Sequence, residues 1–184
     1  MKFKPQSIPD VILLEPRILS DNRGYFVETF RKDLLETALG DKITFVQDNE
    51  ARSTKGVLRG LHYQLPPYAQ SKLVRVNEGT VLDVVVDLRK SSPTFGKHVS
   101  VVLSSENKFQ LFVPRGFAHS YLVLSDKAVF SYKVDNYYSK EYERGIAYND
   151  ENLAINWKLS SDELILSDKD KNHPLLCDTD EIFE

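Results

Sequence analysis

Between residues 11 and 134 the chain is a run of short stretches of alternating apolar and polar residues, broken by clusters of turn-forming residues. That pattern leaves little room for anything but antiparallel β-structure. Strands are predicted over 11–19, 25–30, 44–49, 57–64, 72–77, 81–88, 99–103, 109–113, 120–124 and 128–134. Asp21-Asn22-Arg23-Gly24, Glu78-Gly79, Ser91-Ser92-Pro93 and Pro114-Arg115-Gly116 supply turns between them. Only 31–39 reads as a helix, with Leu34, Leu35, Ala38 and Leu39 roughly on one side and Gly40 at its end. Beyond residue 135 the pattern is less regular, with short helical turns expected around Glu151 and Asp162. No linker, repeat or low-complexity run interrupts it, so residues 1–184 are expected to form a single all-β domain, a sandwich or barrel.

Composition narrows the function classes. With 24 basic and 27 acidic residues the formal charge is −3, which gives no reason to expect nucleic acid as a partner. One cysteine, Cys177, cannot make an internal disulfide, and no Cys/His cluster has zinc-site spacing. The opening residues, Met1-Lys2-Phe3-Lys4-Pro5-Gln6, lack an apolar stretch of signal-peptide length, and no later segment is long enough to span a bilayer. The expectation is a cytoplasmic protein without membrane contact.

Strand alternation exposes polar groups on apolar faces. Lys72 shares its parity with Val74 and Val76, His62 with Leu58, His119 with Phe117, Tyr121 and Val123, and Tyr132 with Phe130 and Val134. A single inward His or Tyr is ordinarily a hydrogen-bonded packing residue. An inward lysine is different, because without an anionic partner its desolvation is strongly unfavourable. Four ionisable groups converging on one interior point to a site.

The segment Pro114-Arg115-Gly116-Phe117-Ala118-His119 has the form of the second motif of metal-binding cupins. At the position of the first motif stands His62-Tyr63-Gln64, with glutamine in place of the second histidine and no glutamate at the usual interval. Two imidazoles and an ammonium make a poor cage for a divalent cation, so no metal is expected. Neither GxGxxG nor a phosphate-binding P-loop occurs, and there is no Gly-x-Ser-x-Gly elbow.

The string Gly56-Val57-Leu58-Arg59-Gly60-Leu61-His62-Tyr63-Gln64 resembles the signature of the dTDP-4-dehydrorhamnose 3,5-epimerases. So do Asp21-Asn22-Arg23-Gly24-Tyr25-Phe26-Val27-Glu28, Phe45-Val46-Gln47-Asp48-Asn49, Ser92-Pro93-Thr94-Phe95-Gly96, Gly116-Phe117-Ala118-His119 and Leu166-Ser167-Asp168-Lys169-Asp170. These blocks stand in family order from about residue 7 to residue 176, and the ordered set is specific where each block alone is weak. The resemblance implies a cupin-type jelly-roll barrel with a few short helices. It also implies a metal-free and cofactor-free enzyme, and a homodimer in which N-terminal strands pass between subunits.

The reaction so implied takes dTDP-4-keto-6-deoxy-D-glucose to dTDP-4-keto-L-rhamnose. Both inverted carbons, C3 and C5, flank the C4 ketone, so loss of either proton gives an enolate. Inversion needs a base on one face, a proton donor on the other and a cation at the ketone oxygen. By match to the family motifs His62 is the base, Asp170 orients it, Lys72 faces the C4 oxygen and Tyr132 returns the proton. The resemblance places Arg23 and Arg59 at the diphosphate, Glu28, Gln47 and Asn49 at the thymidine, and Tyr138 against the base. His119 would bond the sugar, Glu143 and Lys169 line the site, and Phe26 and Asp48 complete the substrate-binding set. The chain departs from the family pattern at Ala51, where relatives often carry serine, and at Ser120, where glycine is usual. Three other readings share the barrel: a single-centre epimerase, a non-catalytic sugar-nucleotide binding module and a metal-dependent cupin. Arg59 and His62 have opposite parity, and Gly60 between them is the expected place for a bulge that reconciles them.

Overall fold

The computed structural model describes all of residues 1–184. Two antiparallel sheets form the expected jelly-roll barrel. The first runs in the order β1 (Lys2–Pro5), β2 (Ile12–Glu15), β10 (Gln110–Val113), β7 (Lys72–Glu78), β12 (Lys127–Val134) and β5 (Gln47–Thr54). The second is ordered β13 (Glu143–Gly145), β6 (Leu58–Gln64), β11 (Phe117–Val123), β8 (Thr80–Asp87) and β9 (His98–Ser104). A separate hairpin pairs β3 (Ile18–Asp21) with β4 (Gly24–Val27).

The sheets face each other across a core that includes Val74, Val76, Val81, Val85, Tyr121, Val123 and Phe130. β8 is buried on both faces: Val81 and Val85 point into this core, while Leu82, Val84 and Val86 join a second cluster behind the sheet. That is why its sequence reads as a continuous apolar run rather than an alternation. The C-terminal third closes the second cluster with Ile146, Leu153 and Trp157. The helix α1 (Lys32–Leu39) buries Leu35 against Ile12, Leu14, Leu73 and Phe112 on the outside of the larger sheet. No helix is long and apolar enough to cross a membrane.

The stretch 11–19, read as one strand, is two. It divides at Pro16, which has no N–H to offer a ladder, and β3 leaves the barrel to pair with β4. β5 begins at Gln47 rather than at residue 44 and continues to Thr54, in register with β12 from Gln47 opposite Val134 to Thr54 opposite Lys127.

Candidate active site

The site is built around a break in β6. The β6–β11 ladder pairs His62 with His119 but Arg59 with Tyr121, and its register shifts between the two. The extra residue is accommodated at Gly60, whose φ is +118°. A Cβ at Gly60 would lie 2.5 Å from the His119 carbonyl oxygen and 2.8 Å from the Cα of Ser120, so only glycine fits. The shift carries Arg59 and His62 onto the same wall, as the bulge expected at Gly60 requires. The parity expected to join His62 to Leu58 does not survive it, since Leu58 packs into the cluster behind the sheet.

Both residues open into a cavity of about 570 Å³ at one end of the barrel. Lys72 and Tyr132 enter it from the larger sheet, and Arg59, His62 and His119 from the smaller. Lys169 and Asp170 come from α2 (Asp168–Lys171), a single turn that crosses the mouth. Ser167 caps that turn by accepting from the backbone N–H of Asp170 at 3.2 Å. Seven residues that the sequence placed at the site are thus brought together.

His62 Nε2 lies 2.5 Å from Asp170 Oδ1. Burial would raise the Asp170 carboxyl, but the neighbouring His173 and the hydrogen-bonded His62 overcome it and hold the group well below the usual carboxylate range. Desolvation lowers the His62 pKa from its ordinary value, against the pull of Asp170, and Lys169 and Lys72 add to the lowering. A neutral imidazole that donates Nε2–H to Asp170 keeps Nδ1 free to accept a proton. His119 is more enclosed, with Nε2 at 2.9 and 3.0 Å from the two carboxylate oxygens of Asp83. Lys72 makes no direct ion pair; desolvation lowers it to about 8 while Asp83 and Glu143 pull it upward. Burial pushes the Tyr132 and Tyr121 phenols up, which keeps both protonated at neutral pH.

The remaining expected residues lie outside this cavity. Glu143 stands at its rim, 2.7 Å from Lys169 Nζ and accepting from the Tyr138 hydroxyl at 2.9 Å. Gln47 and Asn49 share a face of β5 with Ala51 and are joined at 2.8 Å. Asp48 points the other way and pairs with Lys133 at 2.8 Å, because neighbours on a strand alternate faces. Asp48 and Asn49 border a second hollow of about 330 Å³ that shares Tyr132 with the first. Arg23, Phe26 and Glu28 belong to the β3–β4 hairpin and the residue after it, away from the cavity. There Arg23 pairs with Asp21 at 2.6 Å and Glu28 meets Arg31 at 3.5 Å. Of the departures from the family pattern, Ala51 lines the cavity, whereas Ser120 faces away from it with its hydroxyl unpartnered.

Sequence reasoning passed over Asp83 and His173. Asp83 had a readable signal, a lone carboxylate within the apolar run of β8. His173 had none beyond its proximity to Asp170. His62, Asp170 and His173 are the one group whose ligand atoms lie within 4.8 Å of one another. A divalent ion there would have to part the 2.5 Å His62–Asp170 contact and sit beside Lys72 and Lys169, a poor fit to that chemistry.

The family model of dTDP-4-dehydrorhamnose 3,5-epimerase matches residues 5–178. The chain is 57% identical over 173 residues to a dTDP-4-dehydrorhamnose 3,5-epimerase of Shigella flexneri, covering 94% of each. The crystal structure of that enzyme from Elizabethkingia anophelis NUHP1 superposes with a TM-score of 0.94 at 49% identity, over 97% of this chain and 98% of that one. A Legionella pneumophila structure in complex with dTDP-4-keto-L-rhamnose gives 0.95 at 46% identity, over 100% of this chain and 97% of that one. With the family model matching residues 5–178 and relatives of this identity covered almost end to end, the chain belongs to the dTDP-4-dehydrorhamnose 3,5-epimerase family.

Proposed function

We propose that this chain carries out the 3,5-epimerisation of its family through the cavity between the two sheets, with dTDP-4-keto-6-deoxy-D-glucose as substrate and dTDP-4-keto-L-rhamnose as product. The observation that carries the reading is the placement of His62 and Tyr132 on opposite sheets facing one cavity, with Lys72 beside them. His62 Nδ1 takes the proton from the carbon next to the ketone. Asp170 holds the ring and stabilises the imidazolium that forms. The Lys72 ammonium meets the charge developing on the C4 oxygen, where a pre-placed cation is worth far more than in water. Tyr132, a protonated phenol on the other wall, delivers a proton to the opposite face of the enolate. The same groups serve C3 and C5 in turn, because both flank the same ketone. No electrons are transferred, so the route needs no redox cofactor.

Arg59, at the mouth, suits the diphosphate, since its guanidinium is a planar fork. Arg23, Phe26 and Glu28 do not reach the cavity of their own chain. Their hairpin leaves Leu19, Tyr25 and Phe26 roughly half or more exposed, at 48%, 59% and 63%. Such a surface favours a homodimer in which each hairpin is seated on the other subunit and brings its nucleotide contacts there. A monomeric mass at assay concentration would refute this arrangement.

The test of the reaction is incubation with the 4-keto sugar in deuterated water. Deuterium is expected at both C3 and C5 of the product. Label at one carbon only would establish a single-centre epimerase, and binding without label would leave a non-catalytic module. In Tyr132→Phe, exchange is expected to persist while net inversion slows; equal slowing of both would remove Tyr132 as the donor.

A further inference from the structure

β13 pairs with β6 so that Gly145 stands directly opposite His62. Nothing in the backbone of Gly145 calls for glycine, but its surroundings do. A Cβ there would lie 2.5 Å from Nε2 and 2.6 Å from Cε1 of His173. The missing side chain is therefore the seat of the His173 ring. That ring meets His62 edge to face, with centroids 5.5 Å apart and planes at 79°. Its Nε2 lies 3.5 Å from Asp170 Oδ1, the same oxygen that His62 Nε2 approaches at 2.5 Å. The nitrogen is buried and makes no hydrogen bond, and Asp170 is the carboxylate it approaches. The segment is pinned from behind, since the Ala147 N–H donates to the Pro174 carbonyl at 2.7 Å.

His173 is not among the residues that line the cavity. A buried imidazole nitrogen left without a good partner does not favour folding. Stability alone gives no reason for this ring to occupy the place. The carboxylate it approaches does need a second hold, because α2 has four residues and a single helical turn is marginal without outside contacts.

We propose that His173 is a positioning residue of the epimerisation, holding Asp170 and the His62 ring in the orientation in which His62 Nδ1 meets the substrate carbon. The proposal rests on the reading of His62 as the base. With His173 in place, Asp170 Oδ1 is hydrogen-bonded by His62 and has a second imidazole 3.5 Å away. Without it, the carboxylate is a stronger acceptor for His62 alone, and the His62 imidazolium is favoured. The other charged or titratable groups facing His62 are Arg59 on its own strand, Lys72 on β7, His119 and Tyr121 on β11, Tyr132 on β12, Glu143 on β13 and Lys169 on α2. None of them is altered by replacing His173.

Two substitutions test the proposal from different sides. His173→Asn removes the ring, and Gly145→Ala displaces it without touching the cavity. In both, kcat is expected to fall about tenfold with KM unchanged, inside the roughly hundredfold loss that a misplaced catalytic group produces. The acid limb of the kcat profile is expected to move up by about half a pH unit in both, because a His62 that protonates more readily is lost as a base at higher pH. A folded His173→Asn with wild-type kcat and limb would overturn the proposal. So would losses of kcat with an unmoved limb, which mark a purely structural ring, or failure of both variants to fold. His62→Ala run alongside separates the two ideas: if it exchanges label at close to the wild-type rate, the base assignment fails and the role of His173 fails with it.

Discussion

Two histidine–aspartate pairs face one cavity from adjacent strands, and they are assembled in opposite ways. His119 and its carboxylate, Asp83, sit on neighbouring strands of a single sheet, with side-chain exposures of 7% and 0%. Both oxygens of Asp83 grip the same ring nitrogen, and the pair is sealed by the core, with Phe130 stacked against Tyr121 at 4.1 Å. His62 receives its carboxylate from a terminal turn 108 positions later, and its side chain remains 26% exposed. A base that takes a proton from carbon must later pass it on, and this requires a path to solvent or substrate. The pair with access has the geometry of a base; the sealed pair has the geometry of a fixed hydrogen-bonding wall. Access and the origin of the carboxylate separate the two, since the residue types are identical.

The contrast is sharpest in activity. His62→Ala is expected to lower the rate of exchange at both carbons by about a thousandfold, within the range of general-base contributions, with nucleotide affinity nearly intact. His119→Ala is expected to act chiefly on KM; equal losses of kcat in the two variants would erase the distinction. Next in size is Lys72, whose ammonium is the active form. Because desolvation brings it to about 8, activity is expected to fall as pH rises through that value. Lys72→Met is expected to lower kcat by about a hundredfold and abolish that limb, as removal of one charge stabiliser does. An alkaline limb that persists unchanged in Lys72→Met would assign it to another group. The smallest effect is on stability. Asp83→Asn leaves buried groups imperfectly paired and is expected to destabilise the fold by about 2 kcal/mol. A calorimetric midpoint lower by about 6 °C would correspond to that loss in a chain of this size. Asp170→Asn is expected to lower the midpoint as well, but by less because its partner His62 keeps 26% exposure, and a larger drop there than in Asp83→Asn would reverse the ranking of the two pairs.

The barrel was legible because alternation survives wherever one face of a strand is wet. Where it was misread, a specific residue intervened. Pro16 cuts one expected strand in two, and the second half of β5, with Glu50 and Arg52 exposed, carries too little apolar character to register as a strand. β1 and β13 are short and take their conformation from the ladders they join rather than from their own residues. In the site, Lys72, His119 and Tyr132 follow from parity, because their strands are regular where they enter the cavity. His62 and Arg59 do not, since Gly60 slips the register between them. Asp170 and His173 are invisible to any periodic argument, because one sits on a single helical turn and the other just beyond it, in a segment placed by tertiary contacts. Family resemblance supplied Asp170, and only the folded chain supplies His173.

The long separation between His62 and Asp170 has a consequence for the order in which the molecule is made. The imidazole leaves the ribosome early and waits, unaimed, until the closing segment threads back over the mouth of the barrel. Catalytic competence therefore waits on a residue joined 108 positions after the base, and no nascent chain that stops short of it has the pair.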